Sequence, residues 1–286
     1  MGSERRLTAG RGVTGGTVAL LAVGVVLVLA VVAAVTRPAD GLRSPDPAGA
    51  GGVVSVPDRP AYTHLQMNLC LSGMAGCYPR DRYDQAIAAA VDAVRRTGAD
   101  VVTLNEICRA DVRRIARRIG YDLRFARVIY AGERLPCIDP GGRGLFGNAI
   151  LTRDRVVATA GRPFSNQAGP EERRWMCVTT RRATVCGAHL ETRLDDPDRS
   201  TNRGQCAELG RVLTRYAERG RPVTFGGDMN RLGSCAPAGF WTRTDWAGGG
   251  IPGLQHIYGS RSLTRPVARV VRADFTDHDF LAVDAH

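Results

Sequence analysis

The stretch "TFGGDMNRLG", Thr224 to Gly233, couples a short apolar run to an aspartate and an asparagine two residues apart. Val223–Phe225 reads as a buried strand, with Pro222 before it and Gly226–Gly227 after it. Glycines at that point let a backbone turn tightly and approach a ligand. Asp228 and Asn230 then stand just past a strand end, placed for chemistry. Taken alone, the stretch reads equally well as a polar loop of Asx-turn residues. The segments around it decide.

Four other segments share the design. "THLQMNLCLSG" presents Asn68, "ADVVTLNEIC" ends in Asn105–Glu106, "TVCGAHLET" presents His189, and "FTDHDFLAV" sets Asp277–His278 before the last apolar run. Between them lie amphipathic helical patterns over Arg82–Arg96, Arg109–Ile119 and Gln205–Tyr216. The chain therefore reads as mixed α/β. A lone polar residue at a strand end is usually a turn or surface residue. Five such sites, all of types used in phosphate and metal chemistry, point together to one active centre.

The 286 residues carry a net charge of +11, and every basic residue is arginine. Coding bias accounts for the missing lysines, while the charge itself suits an anionic partner. Val13–Val35 is uncharged and almost wholly apolar, long enough at ~1.5 Å per residue to cross a ~30 Å hydrocarbon core. Arg5, Arg6 and Arg11 precede it and favour a cytoplasmic N-terminus. The organisation expected is a cytoplasmic stretch 1–12, a transmembrane signal anchor 13–35, a flexible Pro/Gly/Ala-rich linker 36–60 and an extracytoplasmic domain 61–286. The alternative is a cleaved signal peptide and a secreted chain.

All eight cysteines lie in that domain, with no zinc-ligand spacing among them. In an exported chain an even count reads as disulfides. In "CVTTRRATVC" a two-residue turn at Arg181–Arg182 puts Cys177 opposite Cys186 at a non-hydrogen-bonded position, within disulfide range. Arg-Arg is not a favoured turn pair, so a longer loop is the competing reading. Sequence proximity suggests Cys70–Cys77, Cys108–Cys137 and Cys206–Cys235 for the others.

In order, "QMNLC", "LNEIC", "GNAILTR", "EERRWMCV", "CGAHLET", "GGDMN" and "TDHDFL" resemble the motifs of the endonuclease/exonuclease/phosphatase superfamily, the deoxyribonuclease-I-like fold, over about residues 61–286. The resemblance implies a four-layer α-β-β-α sandwich and a monomeric, metal-dependent phosphoesterase with no protein partner. It implies Mg²⁺, or Mn²⁺ or Ca²⁺, held by Glu106 with Asn68 and Asp277. Asp228 would orient and deprotonate the attacking water, Asn230 would hold water or phosphate, and His278 would act as general acid/base or phosphate donor. His189 would donate to phosphate oxygens. Asn148 and Tyr130 would contact phosphate, and Arg109 and Arg174 are candidates for a nucleic-acid backbone, although solvated surface arginines are the plainer reading. Two positions depart from the pattern. Asn105 stands where Gln is usual, and Gln255, in "LQHIYGS", stands where the family carries the Asp that orients the catalytic imidazole. A Gln carbonyl can accept from the ring N–H but cannot stabilise an imidazolium as a carboxylate does. His256 or another acid would have to compensate. Nucleic acid leads as substrate. A phospholipid or inositol phosphate is the second reading, and a catalytically impaired binding module the third.

Overall fold

The structure, a computed structural model, describes residues 62–78 and 82–286. The expected anchor 13–35 and linker 36–60 lie outside the described residues. Among those described, no helix is long and apolar enough to cross a membrane.

The chain runs through β1 (Tyr62–Asn68), α1 (Tyr83–Thr97), β2 (Val101–Cys108), α2 (Arg109–Ile119) and β3 (Asp122–Arg127). A small ribbon follows, β4 (Ile129–Tyr130) and β5 (Glu133–Arg134), then β6 (Phe146–Thr152), β7 (Ala158–Pro163), β8 (Arg174–Thr179) and β9 (Thr184–His189). α3 (Ser200–Ala217) leads to β10 (Val223–Asp228), β11 (Phe240–Thr244), β12 (Gln255–Ser260), β13 (Val267–Val271) and β14 (Phe280–Ala285).

Two six-stranded mixed sheets result, ordered β13-β14-β1-β2-β6-β3 and β11-β12-β10-β9-β8-β7. Each contains one parallel pair joined by a crossover helix: β1 and β2 through α1, β9 and β10 through α3. Period-2 alternation sorts the faces. Leu65, Met67, Val102 and Leu104 pack with Ile87 and Val91 of α1 and Val112 and Ile115 of α2. Phe225 and Val223 pack with Leu209, Val212 and Leu213 of α3. The opposite faces of the sheets meet each other, through Val101, Ile150, Met176, Val178 and Val185 at one end. The sequence thus builds a two-sheet sandwich with few helices.

α1 and α2 fall where the periodicity places them, each closed by a left-handed glycine, Gly98 (φ 63°) and Gly120 (φ 74°). α3 starts at Ser200, earlier than its apolar pattern, because Asp196 accepts from the backbone N–H of Asn202 (2.7 Å) and Thr201 (3.3 Å). Gly226–Gly227 do not turn the chain. They lie inside β10, where a Cβ on Gly226 would collide with the Thr103 hydroxyl and His64 ring, and one on Gly227 with the Ala188 carbonyl.

All eight cysteines pair, as Cys70–Cys77, Cys108–Cys137, Cys177–Cys186 and Cys206–Cys235. Cys177 faces Cys186 in register, with Cα atoms 4.0 Å apart. The Arg181–Arg182 turn is held by Thr180, whose hydroxyl accepts from the N–H of both Arg182 and Ala183 (3.2 Å each).

Candidate active site

Parallel strands carry their carboxyl ends to the same edge, and all four here bring polar side chains to it. Asn68 closes β1, His189 closes β9 and Asp228 closes β10; Asn105 and Glu106 sit in β2, before its last turn of pairing. Pairing of β2 with β6 shifts register between Leu104 and Ile107, and Glu106 within that irregularity has φ 56°. A bulge of this kind re-aims a side chain. It frees the Glu106 carboxylate from the sheet so that Asn68 Nδ2 can donate to it (2.8 Å).

Asp228 is the hub. Its Oδ2 accepts from Asn68 Nδ2 (3.0 Å) and Gln255 Nε2 (2.9 Å), and His278 Nε2 lies 3.3 Å away. Its Oδ1 accepts from the backbone N–H of Asn230 (2.9 Å). Asn230 Nδ2 donates to His189 Nε2 (3.0 Å) and to the Leu190 carbonyl (2.9 Å). His189 Nε2 stands 4.0 Å from Glu106 Oε1, and Asp277 Oδ1 stands 3.8 Å from His278 Nε2. Residues from both sheets and from distant parts of the chain are thus brought together: Asn68, Glu106, His189, Asp228, Asn230, Asp277 and His278.

Electrostatics distinguish their states. Burial works against a charge on Asp228, but the two imidazoles, the Asn68 amide and the Asn230 N–H outweigh it and hold the carboxyl below its usual range. Burial, reinforced by Arg173, pushes His189 down, so its imidazole is neutral at neutral pH. Burial also pushes Glu106 up to about 7, with the charges of Asp228, Glu171 and Asp277 adding to it. A half-buried carboxylate crowded by three others is a place where a hard cation relieves repulsion, and oxygen donors suit such an ion. Glu106 could hold a divalent metal here; Asn68 turns its Nδ2 to that carboxylate, while its Oδ1 accepts from the Cys70 N–H (3.1 Å). The three-ligand grouping Cys70, Cys77 and Asp277 could not, because its sulfurs are joined in a disulfide.

A shell of Asn105, Asn148, Gln255 and Gln66, of which only Gln66 was not singled out in the sequence, supports the hub. Asn105 Oδ1 accepts from the Asp228 N–H (2.8 Å) and from Gln66 Nε2 (2.8 Å). Asn105 Nδ2 donates to Asn148 Oδ1 (3.0 Å) and the Ala188 carbonyl (3.1 Å). Gln66 also donates to Gln255 Oε1 (3.0 Å). Gln66 was legible as the residue two before Asn68 on the same strand face. Gln255 does not orient His278: its carbonyl is taken by Gln66 and its amide by Asp228. His256 does not compensate either. It points to the other face, between the Tyr258 hydroxyl (2.8 Å) and the Arg231 and Gly253 carbonyls.

The remaining candidates stand outside the hydrogen-bonded cluster. Tyr130 is exposed and bridges to Glu171. Arg174 pairs with Glu172 (3.2 Å) and lines a small void beside Asn148. Arg109 opens α2 and lines a groove of about 360 Å³ with Arg113, Arg124, Arg127 and Arg134. Among the described residues no carboxylate pairs with any of the five.

The sequence profile described as the Endonuclease/Exonuclease/phosphatase family matches residues 71–278, and the chain belongs to that family. Its members are generally metal-dependent phosphoesterases and nucleases. Among solved structures, the fold is similar to the human Nocturnin catalytic domain with bound sulfate (TM-score 0.58, 14% identity, 79% of this chain and 93% of that one). It is also similar to truncated TDP2 from Caenorhabditis elegans (0.55, 17%, 78% and 96%) and to an endonuclease/exonuclease/phosphatase from Beutenbergia cavernae (0.58, 18%, 79% and 71%). No curated protein matches the chain.

Proposed function

We propose that this protein is an exported, membrane-anchored phosphodiesterase that requires a divalent cation, Mg²⁺ first, and cleaves nucleic acid. The observation that carries the chemistry is the convergence of Glu106, His189, Asn230 and His278 on Asp228. A cation held by Glu106, with Asn68 and Asp277 beside it, would supply charge neutralisation for a phosphoryl oxygen. Asp228 already accepts from several donors, which makes it a weak base. Its part is to orient the attacking water and the His278 ring more than to remove a proton. His278 donates to the departing oxygen, and Asn230, whose Nδ2 donates to His189 Nε2 and the Leu190 carbonyl, fixes the His189 ring beside the site.

The substrate class rests on charge. The net +11 and the five-arginine groove suit a polyanion, and guanidinium groups bind phosphates bidentately. β3 joins that groove to the site, since Ala126 pairs with Asn148 and Arg127 with Gly147. One structure of similar fold, zebrafish (D. rerio) TDP2, is described in complex with a single-stranded DNA product (TM-score 0.54, 15% identity, 79% of this chain and 98% of that one). Plasmid DNA, RNA, sphingomyelin and inositol phosphates, each offered with Mg²⁺ or with EDTA, test the reading. Metal-dependent cleavage of nucleic acid supports it; turnover of lipid or inositol phosphate alone replaces the substrate. The anchor rests on the uncharged run 13–35 behind three arginines. A C-terminal reporter active only outside the membrane tests it, and a purely cytoplasmic signal refutes it.

A further inference from the structure

Two buried polar atoms beside the site have no partner. One is Asp245 Oδ2 and the other is His278 Nδ1. Asp245 is fully buried and His278 is 5% exposed. Leaving either atom unpaired is costly, and the two are chemically complementary, a carboxylate oxygen and an imidazole nitrogen.

Several features place them as neighbours. Asp245 follows β11 and anchors the loop that leads to β12: its Oδ1 accepts from the N–H of Gly253 (2.8 Å) and of Gln255 (3.1 Å), and its carbonyl from Gly248 (2.7 Å). That loop lies on the His278 backbone, through a bridge from Gly250 to His278 and a bond from the Ile251 N–H to the Asp277 carbonyl (3.3 Å). Burial pushes the Asp245 carboxyl up, while its backbone donors and the nearby His278 pull it down.

Register explains why this acid sits here. Thr244 pairs with His256, and the Asp245 N–H donates to the Gln255 carbonyl (3.3 Å), so Asp245 stands opposite Gln255. Directly opposed residues on antiparallel strands share a face. The carboxylate missing at 255 is present one strand over.

We propose that Asp245 is the positioning residue for His278, its Oδ2 accepting from Nδ1–H across one bridging water, since no nitrogen–oxygen pair of the two side chains lies within 4.0 Å. The bond fixes the ring with Nε2 toward Asp228 and the reacting phosphate. Its effect on catalysis rests on the phosphoesterase reading above; the pairing itself does not.

The test is Asp245→Asn in the full chain. Asparagine keeps Oδ1 for the Gly253 and Gln255 N–H groups and turns the Oδ2 position from acceptor to donor. In ¹⁵N-histidine-labelled protein, a solvent-protected Nδ1–H signal, assigned by its loss in His278→Gln, is expected in the wild type. It should vanish or shift strongly in Asp245→Asn that melts as the wild type does. With bis(4-nitrophenyl) phosphate and Mg²⁺, Asp245→Asn should lower kcat at least about tenfold with KM unchanged. In a His278→Ala background the same change should cost nothing further, as expected when one group acts through the other. An unaltered Nδ1–H signal in Asp245→Asn, or no such signal in the wild type, overturns the pairing. A further loss in the His278→Ala background overturns the positioning role. If the wild type cleaves no phosphodiester while the signal behaves as expected, the phosphoesterase reading fails and the pair stands.

Discussion

The layer between the two sheets has two ends, built by the same strands. At one, Tyr62, Val101, Ile150, Met176, Val178 and Val185 pack as an apolar cluster. At the other, the strand positions facing inward become His64, Thr103, Thr224, Gln66, Asn105, Gln255 and Asp228. Their side chains form a connected hydrogen-bond chain: His64 to Thr224 and Thr103, Thr103 to Gln66, Gln66 to Asn105 and Gln255, and Gln255 to Asp228. Apolar burial stabilises in proportion to area. A buried polar chain returns little net energy and is safe only when every member is satisfied. The apolar end therefore holds the sandwich together. The polar end holds one carboxylate in place, and the sheets tolerate its desolvation for that purpose.

Substitutions that separate the two ends sharpen the contrast. Asp228→Ala should lower phosphodiester turnover by about 10²–10⁴-fold while the chain still folds, measured by steady-state kinetics beside circular dichroism. The next effect is on stability at acid pH. Burial depresses His64 from 6.5 to about 3, so the folded state favours its neutral ring. Its stabilising contribution is complete above pH 6.5 and is lost as pH falls toward 3, at up to ~1.4 kcal/mol per pH unit. Urea midpoints between pH 7 and 4 should fall less steeply in His64→Gln than in the wild type. Third, replacing Cys177 and Cys186 together by alanine should cost about 2–3 kcal/mol in the same assay and leave turnover intact, because that disulfide packs with α3 on the outer face of its sheet, away from the polar end. Smallest is Ile150→Val, at about 0.5–1.5 kcal/mol with no change in kcat. A loss of turnover there would mean that the two ends are not separable.

Much of this was legible in the sequence because strand ends punctuate it. Asn68, Glu106, His189 and Asp228 each follow an apolar run, and parallel pairing then gathers them at one edge. The hairpin register of Cys177 and Cys186 followed from counting outward from Arg181–Arg182. Other features depended on the partner strand. Gly226 reads as a turn residue until Thr103 and His64 are seen filling the space its Cβ would take. Glu106 owes its direction to a bulge set by β6, and no residue type announces it. Asp245 follows "FWTRT", which lacks apolar alternation because β11 is the edge of its sheet. Only the pairing of β11 with β12 puts that acid opposite Gln255.

The central claim is that the polar end is a phosphoesterase site organised on Asp228. Turnover of bis(4-nitrophenyl) phosphate by the purified full chain, with Mg²⁺ and then with EDTA, beside folded Asp228→Ala, tests it most directly. The account predicts hydrolysis by the wild type that EDTA abolishes and restored Mg²⁺ recovers, and a rate in Asp228→Ala at least about 10²-fold lower. Hydrolysis that survives EDTA, or full metal-dependent activity in Asp228→Ala, would contradict it.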